Sequence, residues 1–210
     1  MKSTFEKNIT ESYNKKAIDR NSSILQDWKV KERETFLKYL HRENYSSLLE
    51  IGAGTGKDSL YFKEQGLNIF STDVSPEMIK LCKEKGLNAD VMSFYNLDFP
   101  NHHFDSIYAL NCLLHVPKED IKGVLNEIKR VLKPSGLFYL GVYGGENSEG
   151  IWEEDHYTPK RFFSFYDDET LIELLSELFL IEYFEVVPKE IVGGKFHFQS
   201  VIVKNKLNTL

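Results

Sequence analysis

The sequence predicts an α/β protein in which helices cover both faces of an open sheet, and three observations carry that prediction. The apolar run Leu48-Leu49-Glu50-Ile51 passes directly into Gly52-Ala53-Gly54-Thr55-Gly56, a turn with glycine at alternate positions. Strand-like and helix-like segments then alternate as far as residue 142. Two last strand-like runs, 180–187 and 197–203, flank Gly193-Gly194, so a hairpin would place one antiparallel strand in an otherwise parallel sheet.

Taken in order, Phe5, Ile9, Tyr13 and Ile18 recur at near-helical spacing and mark an amphipathic cap over 1–20. Trp28, Phe36, Leu37 and Leu40 belong to a stronger helix over 22–41. Helices follow at 57–65 and 76–85, with Gly66 and Gly86 where each should end, because a glycine tolerates the left-handed conformation of a helix terminus. Ser75 and Pro76 are a good N-cap and first helical residue for the second of them. Strands are expected at 67–72, 88–92, 104–110 and 137–142. The helix over 118–132 places Ile121, Val124, Leu125, Ile128, Val131 and Leu132 on one face. Lys133-Pro134-Ser135-Gly136 is a turn, and a last helix occupies 168–178.

The glycine turn is the first candidate site. A strand ending at Ile51 must bend sharply into a helix, and residues without Cβ permit both the bend and a close approach of a ligand to the backbone. The spacing is not GxGxxG, since the third glycine comes one residue early and Lys57 occupies the fingerprint position. It is not a phosphate loop either, because no Gly-Lys-Ser/Thr follows four residues after Gly52. Glu50 beside the turn would repel a pyrophosphate and suits a ligand carrying positive charge. Asp73 closes the second strand about 20 residues further on, the distance at which an acid accepts hydrogen bonds from a ribose diol. A glycine-rich turn without ligand is the competing reading.

Composition narrows the class. The chain has 210 residues, enough for a single α/β domain with a substantial core. Its 32 acids against 26 Lys and Arg leave a formal charge of -6, which disfavours a nucleic-acid partner. Cys82 and Cys112 sit in no paired or metal-like spacing, so no metal is expected, and two cysteines suit a reducing cytoplasm. No apolar stretch is long enough to span a membrane.

Glu50-Ile51-Gly52-Ala53-Gly54-Thr55-Gly56 resembles the first motif, (D/E)xGxGxG, of class I S-adenosylmethionine-dependent methyltransferases, and Arg130-Val131-Leu132-Lys133-Pro134-Ser135-Gly136 resembles a turn of the same family. The resemblance implies a Rossmann-like seven-stranded sheet of order 3-2-1-4-5-7-6 and S-adenosylmethionine as cofactor. It implies cofactor contacts from Glu50, Gly52, Ala53, Gly54, Gly56, Asp73 and Val74, with Met92, Ser93 and Phe94 around the adenine. Ser93 stands where many relatives place an Asp, and a hydroxyl can still accept from the adenine amino group. Asn111 and Tyr13 are expected at the methionine end, with His115 as the catalytic candidate near the nucleophile.

A division of 1–44 as helical cap, 45–142 as cofactor core, 143–167 as substrate-side insert and 168–210 as terminal helix and hairpin follows. Residues 146–155 hold five acids, and aromatic residues crowd the stretch after them. Tyr143, Trp152, Tyr157 and Phe162 are therefore the substrate candidates, suited to a small cationic or amphipathic acceptor. The function expected is methyl transfer to a nitrogen, oxygen or sulfur atom of a small molecule. Alternatives are a non-catalytic S-adenosylmethionine sensor, a protein methyltransferase, and, third, a nicotinamide-dependent oxidoreductase.

Overall fold

A computed structural model describes residues 4–206. Helices α1 (Thr4–Ser22) and α2 (Asp27–Glu43) precede strand β1 (Ser47–Ile51), which is followed by α3 (Lys57–Glu64), β2 (Asn68–Asp73), α4 (Pro76–Glu84), β3 (Asn88–Val91) and β4 (Phe104–Leu110). Then come α5 (Ile121–Val131), β5 (Leu132–Gly144), β6 (Ser148–Ile151), β7 (Phe162–Phe165), α6 (Asp168–Ser176), β8 (Phe179–Val187), α7 (Lys189–Val192) and β9 (His197–Asn205). The main sheet has seven strands in the order β3-β2-β1-β4-β5-β9-β8. Counting only its members, that is the expected 3-2-1-4-5-7-6. Strand β9 runs antiparallel to both β5 and β8, and the other pairings are parallel.

Alternation along the strands divides the core into two layers. Leu49, Ile107, Phe138 and Val201 pack with α5 and α6 on one face. Their neighbours Leu48, Tyr108, Tyr139 and Ile202 pack with Phe36 and Leu40 of α2 and Phe62 of α3 on the other. Successive side chains of a strand point to opposite faces, so every central strand must be apolar in both registers. Phe36 and Leu40 are fully buried, each contributing about 1.5–3 kcal/mol relative to exposure.

Several boundaries differ from expectation: α5 begins at Ile121 instead of 118, Leu132 opens β5 instead of closing that helix, and α6 ends at Ser176. The 22–41 helix begins only at Asp27 because α1 runs to Ser22, with a break between them. The turn at 133–136 lies within β5, where the register jumps from Phe104↔Leu132 to Ser106↔Leu137. Ser135 takes φ 63 in that bulge, and its carbonyl accepts from the Tyr45 hydroxyl at 2.8 Å. The insert also has regular structure, because β6 and β7 pair as a separate two-stranded sheet.

Candidate active site

The glycine turn sits at the carboxyl end of β1, at the point where β1 lies between β2 and β4. The chain turns because Gly52 has φ 65 and Gly54 φ 55. A Cβ on Gly52 would collide with the Cys112 side chain, whereas one on Gly54 would meet nothing within 4 Å. Gly52 thus serves close packing, and Gly54 opens onto a cleft.

Asp73 ties the turn to the next strand. Its Oδ2 accepts from the Gly54 N–H at 2.8 Å and its Oδ1 from the Ser75 N–H at 2.9 Å. Burial pushes its carboxyl up from the ordinary value, against the pull of these N–H groups.

The turn faces a cleft at the carboxyl edge of the sheet. Gly52, Gly54, Asp73 and Val74 form one wall, Met92 and Phe94 another, and Asn111 and His115 the floor. Tyr13 closes it from above. Nine predicted residues therefore come together.

The other predicted residues stand elsewhere. Glu50 lies beneath the turn, where it accepts from the Ser59 hydroxyl, itself 2.6 Å from that of Ser71. Burial, reinforced by Asp58, pushes its carboxyl well above the usual range. Glu50 therefore does not line the cleft, and its carboxyl group is held by a hydrogen bond under the loop. Ala53 packs with Ile79 and Cys82, and Gly56 faces Leu87 and Cys82. Ser93 lies outside the lining and accepts from the Tyr95 N–H at 3.3 Å.

Helix α1 roofs the cleft. Phe5, Ile9 and Tyr13, one helical turn apart, face inward together with Arg20. The helix is held from below: Ser75 Oγ donates to Asn14 Oδ1 at 2.6 Å, and Lys57 Nζ donates to the Arg20 carbonyl at 2.8 Å and Ser23 Oγ at 3.0 Å. Lys57 thereby places a cation at the carboxyl end of α1, where the helix dipole favours one. Lys85 Nζ completes the set, reaching Asn21 Oδ1 at 2.7 Å and the Thr55 carbonyl at 2.8 Å. Sequence reasoning missed Arg20, Thr72, Leu110 and Tyr95 as lining residues. Arg20 had a signal, being a cation one turn-multiple beyond Tyr13 on the inward face of the cap.

The floor carries two polar groups of different character. Asn111 adopts φ 55, donates its N–H to the Gly141 carbonyl at 2.8 Å, and leaves Oδ1 buried with no hydrogen-bond partner among the described residues. A buried unpaired acceptor is costly unless something supplies a donor. His115 is fully engaged: Nδ1 lies 2.7 Å from the Phe162 carbonyl and Nε2 2.8 Å from the Tyr13 hydroxyl. A carbonyl can only accept, so Nδ1 carries the proton and Nε2 accepts from Tyr13. Burial pushes the imidazole down to about 3.

A second, larger cavity of about 1330 Å³ lies behind this floor, walled by Tyr143, Trp152, Arg161, Phe163, Phe165 and Phe196. Two contacts form the partition between the two. Tyr13 of the cleft accepts from Arg161 Nη1 of the groove at 3.0 Å. His115 lies 4.7 Å from the ring of Phe163. Asn111 lines the cleft side and Tyr143 the groove side of that partition. Of the four substrate candidates, Tyr143 and Trp152 line the groove. Tyr157 stands beside Tyr13 with ring centroids 5.7 Å apart, and Phe162 packs against Phe5 at 4.6 Å.

No described helix is long and apolar enough to cross a membrane, and no group of three or more His, Cys, Asp or Glu among the described residues is placed to hold a metal.

Comparison with known proteins agrees with this geometry. Residues 49–140 match the methyltransferase domain family. An uncharacterized protein of Methanocaldococcus jannaschii is 30% identical over 133 residues, covering 62% of this chain and 62% of that one. Demethylmenaquinone methyltransferase of Tropheryma whipplei is 31% identical over 129 residues, covering 57% of this chain and 52% of the other. The chain thus spans about half to three-fifths of the length of these relatives. The structure of 1,6-didemethyltoxoflavin-N1-methyltransferase of Burkholderia thailandensis, with 1,6-didemethyltoxoflavin and S-adenosylhomocysteine bound, superposes with a TM-score of 0.75 at 20% identity, covering 99% of this chain and 92% of that one. The glycine turn opening onto a cleft at the sheet's carboxyl edge lies within the stretch 49–140 that matches the methyltransferase domain family, and the strand order 3-2-1-4-5-7-6 belongs to a fold that the chain shares with the Burkholderia methyltransferase.

Proposed function

We propose that this chain transfers a methyl group from S-adenosylmethionine to a nucleophilic nitrogen, oxygen or sulfur atom of a small molecule. The observation that carries the proposal is the partition: the cleft at the glycine turn and a ring-lined groove back onto each other across Tyr13, His115 and Asn111. The Burkholderia neighbour, solved with S-adenosylhomocysteine and a small heterocycle together, supports two such compartments.

The residues present fit the cofactor. Asp73 is placed to accept from a ribose diol while still bracing the loop, Met92 and Phe94 offer apolar walls to a base, and Gly54 leaves room for a close backbone approach. The unpaired Oδ1 of Asn111 suits an ammonium, and Arg20 with Tyr13 a carboxylate. When bound, the cofactor supplies a methyl already activated by a sulfonium, which leaves with the sulfur keeping the electron pair.

The chain's own task is then alignment, which can contribute roughly 7–11 kcal/mol in favourable cases. α1 closes the cleft against water, and Asn111 and Tyr143 frame the passage between the compartments. His115 holds its proton on Nδ1 and is disfavoured as an imidazolium. In this closed arrangement it serves by orienting the Tyr13 hydroxyl, and an amine or thiol arriving deprotonated needs no further base.

Calorimetry tests the proposal with S-adenosylmethionine, S-adenosylhomocysteine and NAD. Binding of the first two without NAD is expected, followed by methylation within a panel of amines, thiols and phenols. Heat from NAD alone would replace the proposal with an oxidoreductase; cofactor binding with no turnover on any acceptor would favour a sensor.

A further inference from the structure

The groove behind the partition has a composition of its own. Phe163 and Phe165 stack with centroids 5.6 Å apart and planes 9° from parallel, and Phe165 and Phe196 continue the run at 4.2 Å and 25°. Trp152 meets both Phe165 and Phe196 edge-on, at 5.8 and 5.6 Å. Phe165 is buried between its two neighbours, and the half-buried Phe163 and Phe196 on either side of it are left to meet another flat ring, because aromatic pairs gain from offset stacking beyond the area they bury.

The charges there differ from what the acid-rich sequence suggests. Asp155 does not face the groove as a free carboxylate. It is clamped by Arg161, Nε to Oδ2 at 2.9 Å and Nη2 to Oδ1 at 2.9 Å, and its side chain is 4% exposed. Burial raises its carboxyl, but the Arg161 bonds outweigh this and hold it below the ordinary value, so the pair is ionised and self-neutralised. The ring faces that would attract a cationic acceptor already carry the chain's own cations. The Arg161 guanidinium lies 3.6 Å from the Tyr157 centroid, and Lys195 Nζ lies 5.3 Å from those of both Trp152 and Phe196. Glu154 and His156 sit exposed at the rim. Among the described residues Lys195 makes no ion pair. A second cation approaching close to it would be repelled, and an anion attracted.

We infer that the acceptor is a planar aromatic or heteroaromatic molecule bearing an anionic group, its ring against Phe163 and Phe196 and its anion on Lys195. The inference rests on the methyl-transfer reading and replaces the cationic acceptor expected from sequence, whose carboxylate Arg161 has taken. The acceptor's nucleophile then points toward Tyr143 and Asn111, on the cofactor side.

The test is a calorimetric panel on the full chain, with and without S-adenosylhomocysteine: 2-naphthoate, 2-naphthylmethylammonium and cyclohexanecarboxylate. 2-Naphthoate should bind about tenfold more tightly than either of the others, a difference of about 1.4 kcal/mol. Lys195→Glu should remove or invert the preference between the two naphthalenes, with circular dichroism and S-adenosylhomocysteine affinity recorded on the same variant to detect a damaged fold. Equal or tighter binding of the ammonium compound, an order unchanged in Lys195→Glu, or no binding by any of the three overturns the inference. A wild-type chain that fails to bind S-adenosylhomocysteine strikes the methyltransferase reading instead, and the groove titrations made without it still decide the acceptor.

Discussion

The Tyr13 hydroxyl donates to Nε2 of His115 at 2.8 Å, joining the roof helix to the sheet's carboxyl edge across 102 residues of sequence. The same hydroxyl accepts from Arg161 at 3.0 Å. One phenol thus joins cap, core and insert.

Removing that hydroxyl should cost stability as well as affinity. Tyr13→Phe leaves a buried ring nitrogen of His115 without its donor, and an unsatisfied buried acceptor costs about 1–3 kcal/mol. Urea denaturation should show a loss of that size, and calorimetry a weaker S-adenosylhomocysteine complex because α1 is less firmly seated. A Tyr13→Phe chain as stable as wild type would mean that the bond contributes nothing to closing the roof.

His115 makes the fold sensitive to acid. Its folded imidazole is pushed down to about 3 by burial, whereas an unfolded histidine titrates near 6.5. Below that value the unfolded chain takes up a proton that the native chain refuses, so the contribution is complete above about pH 6.5 and is lost as the pH falls toward 3. The slope is about 1.4 kcal/mol per pH unit within that window. Glu50 and Asp73 act oppositely, since their raised carboxyls gain protons earlier in the folded state. The prediction therefore concerns the difference between wild type and His115→Asn: their stability curves should differ in slope by one proton between pH 6 and 4. Parallel curves would show that His115 titrates normally.

How far the sequence revealed this site depended on the range of each interaction. The glycine turn, Asp73 and the antiparallel last strand were legible because each is written in local spacing: glycines after an apolar run, an acid at a strand end, a terminal hairpin; the full strand order came from the resemblance of the motifs. The inward row Phe5, Ile9 and Tyr13 was visible as helical spacing, but not what it faced. The place of Glu50 beneath the turn was not legible because its neighbours Ser59 and Ser71 are ordinary serines that meet only after α3 and β2 dock. The pairing of β6 with β7 was missed because no short turn signal joins them; the connection runs from 152 to 161. Asp155 looked like a free charge until the fold brought Arg161 back onto it.

Two glycines of the turn should respond differently to substitution. At Gly54 a side chain meets open space, so Gly54→Val pays only the left-handed backbone penalty, about 1–2 kcal/mol, yet fills the cleft. It should fold, by circular dichroism and a lowered melting temperature, and give no heat with S-adenosylhomocysteine. Gly52→Ala drives a Cβ into Cys112, so it should yield little folded protein. Full cofactor affinity in Gly54→Val would remove the turn from the binding site.

The Arg161–Asp155 clamp gives the sharpest energetic test, because its members are only 14% and 4% exposed. Arg161→Leu strands a buried carboxylate, and breaking one side of such a pair costs about 3–5 kcal/mol. Asp155→Leu strands the guanidinium, but Arg161 still reaches the Tyr13 hydroxyl and the Tyr157 ring, so its cost should be smaller. The double variant removes both charges, and most of the loss from Arg161→Leu should then be recovered. Urea unfolding of the four chains yields the coupling energy directly. Strict additivity would show that Asp155 is not held by Arg161, and its charge would then be free to receive a cationic acceptor in the groove.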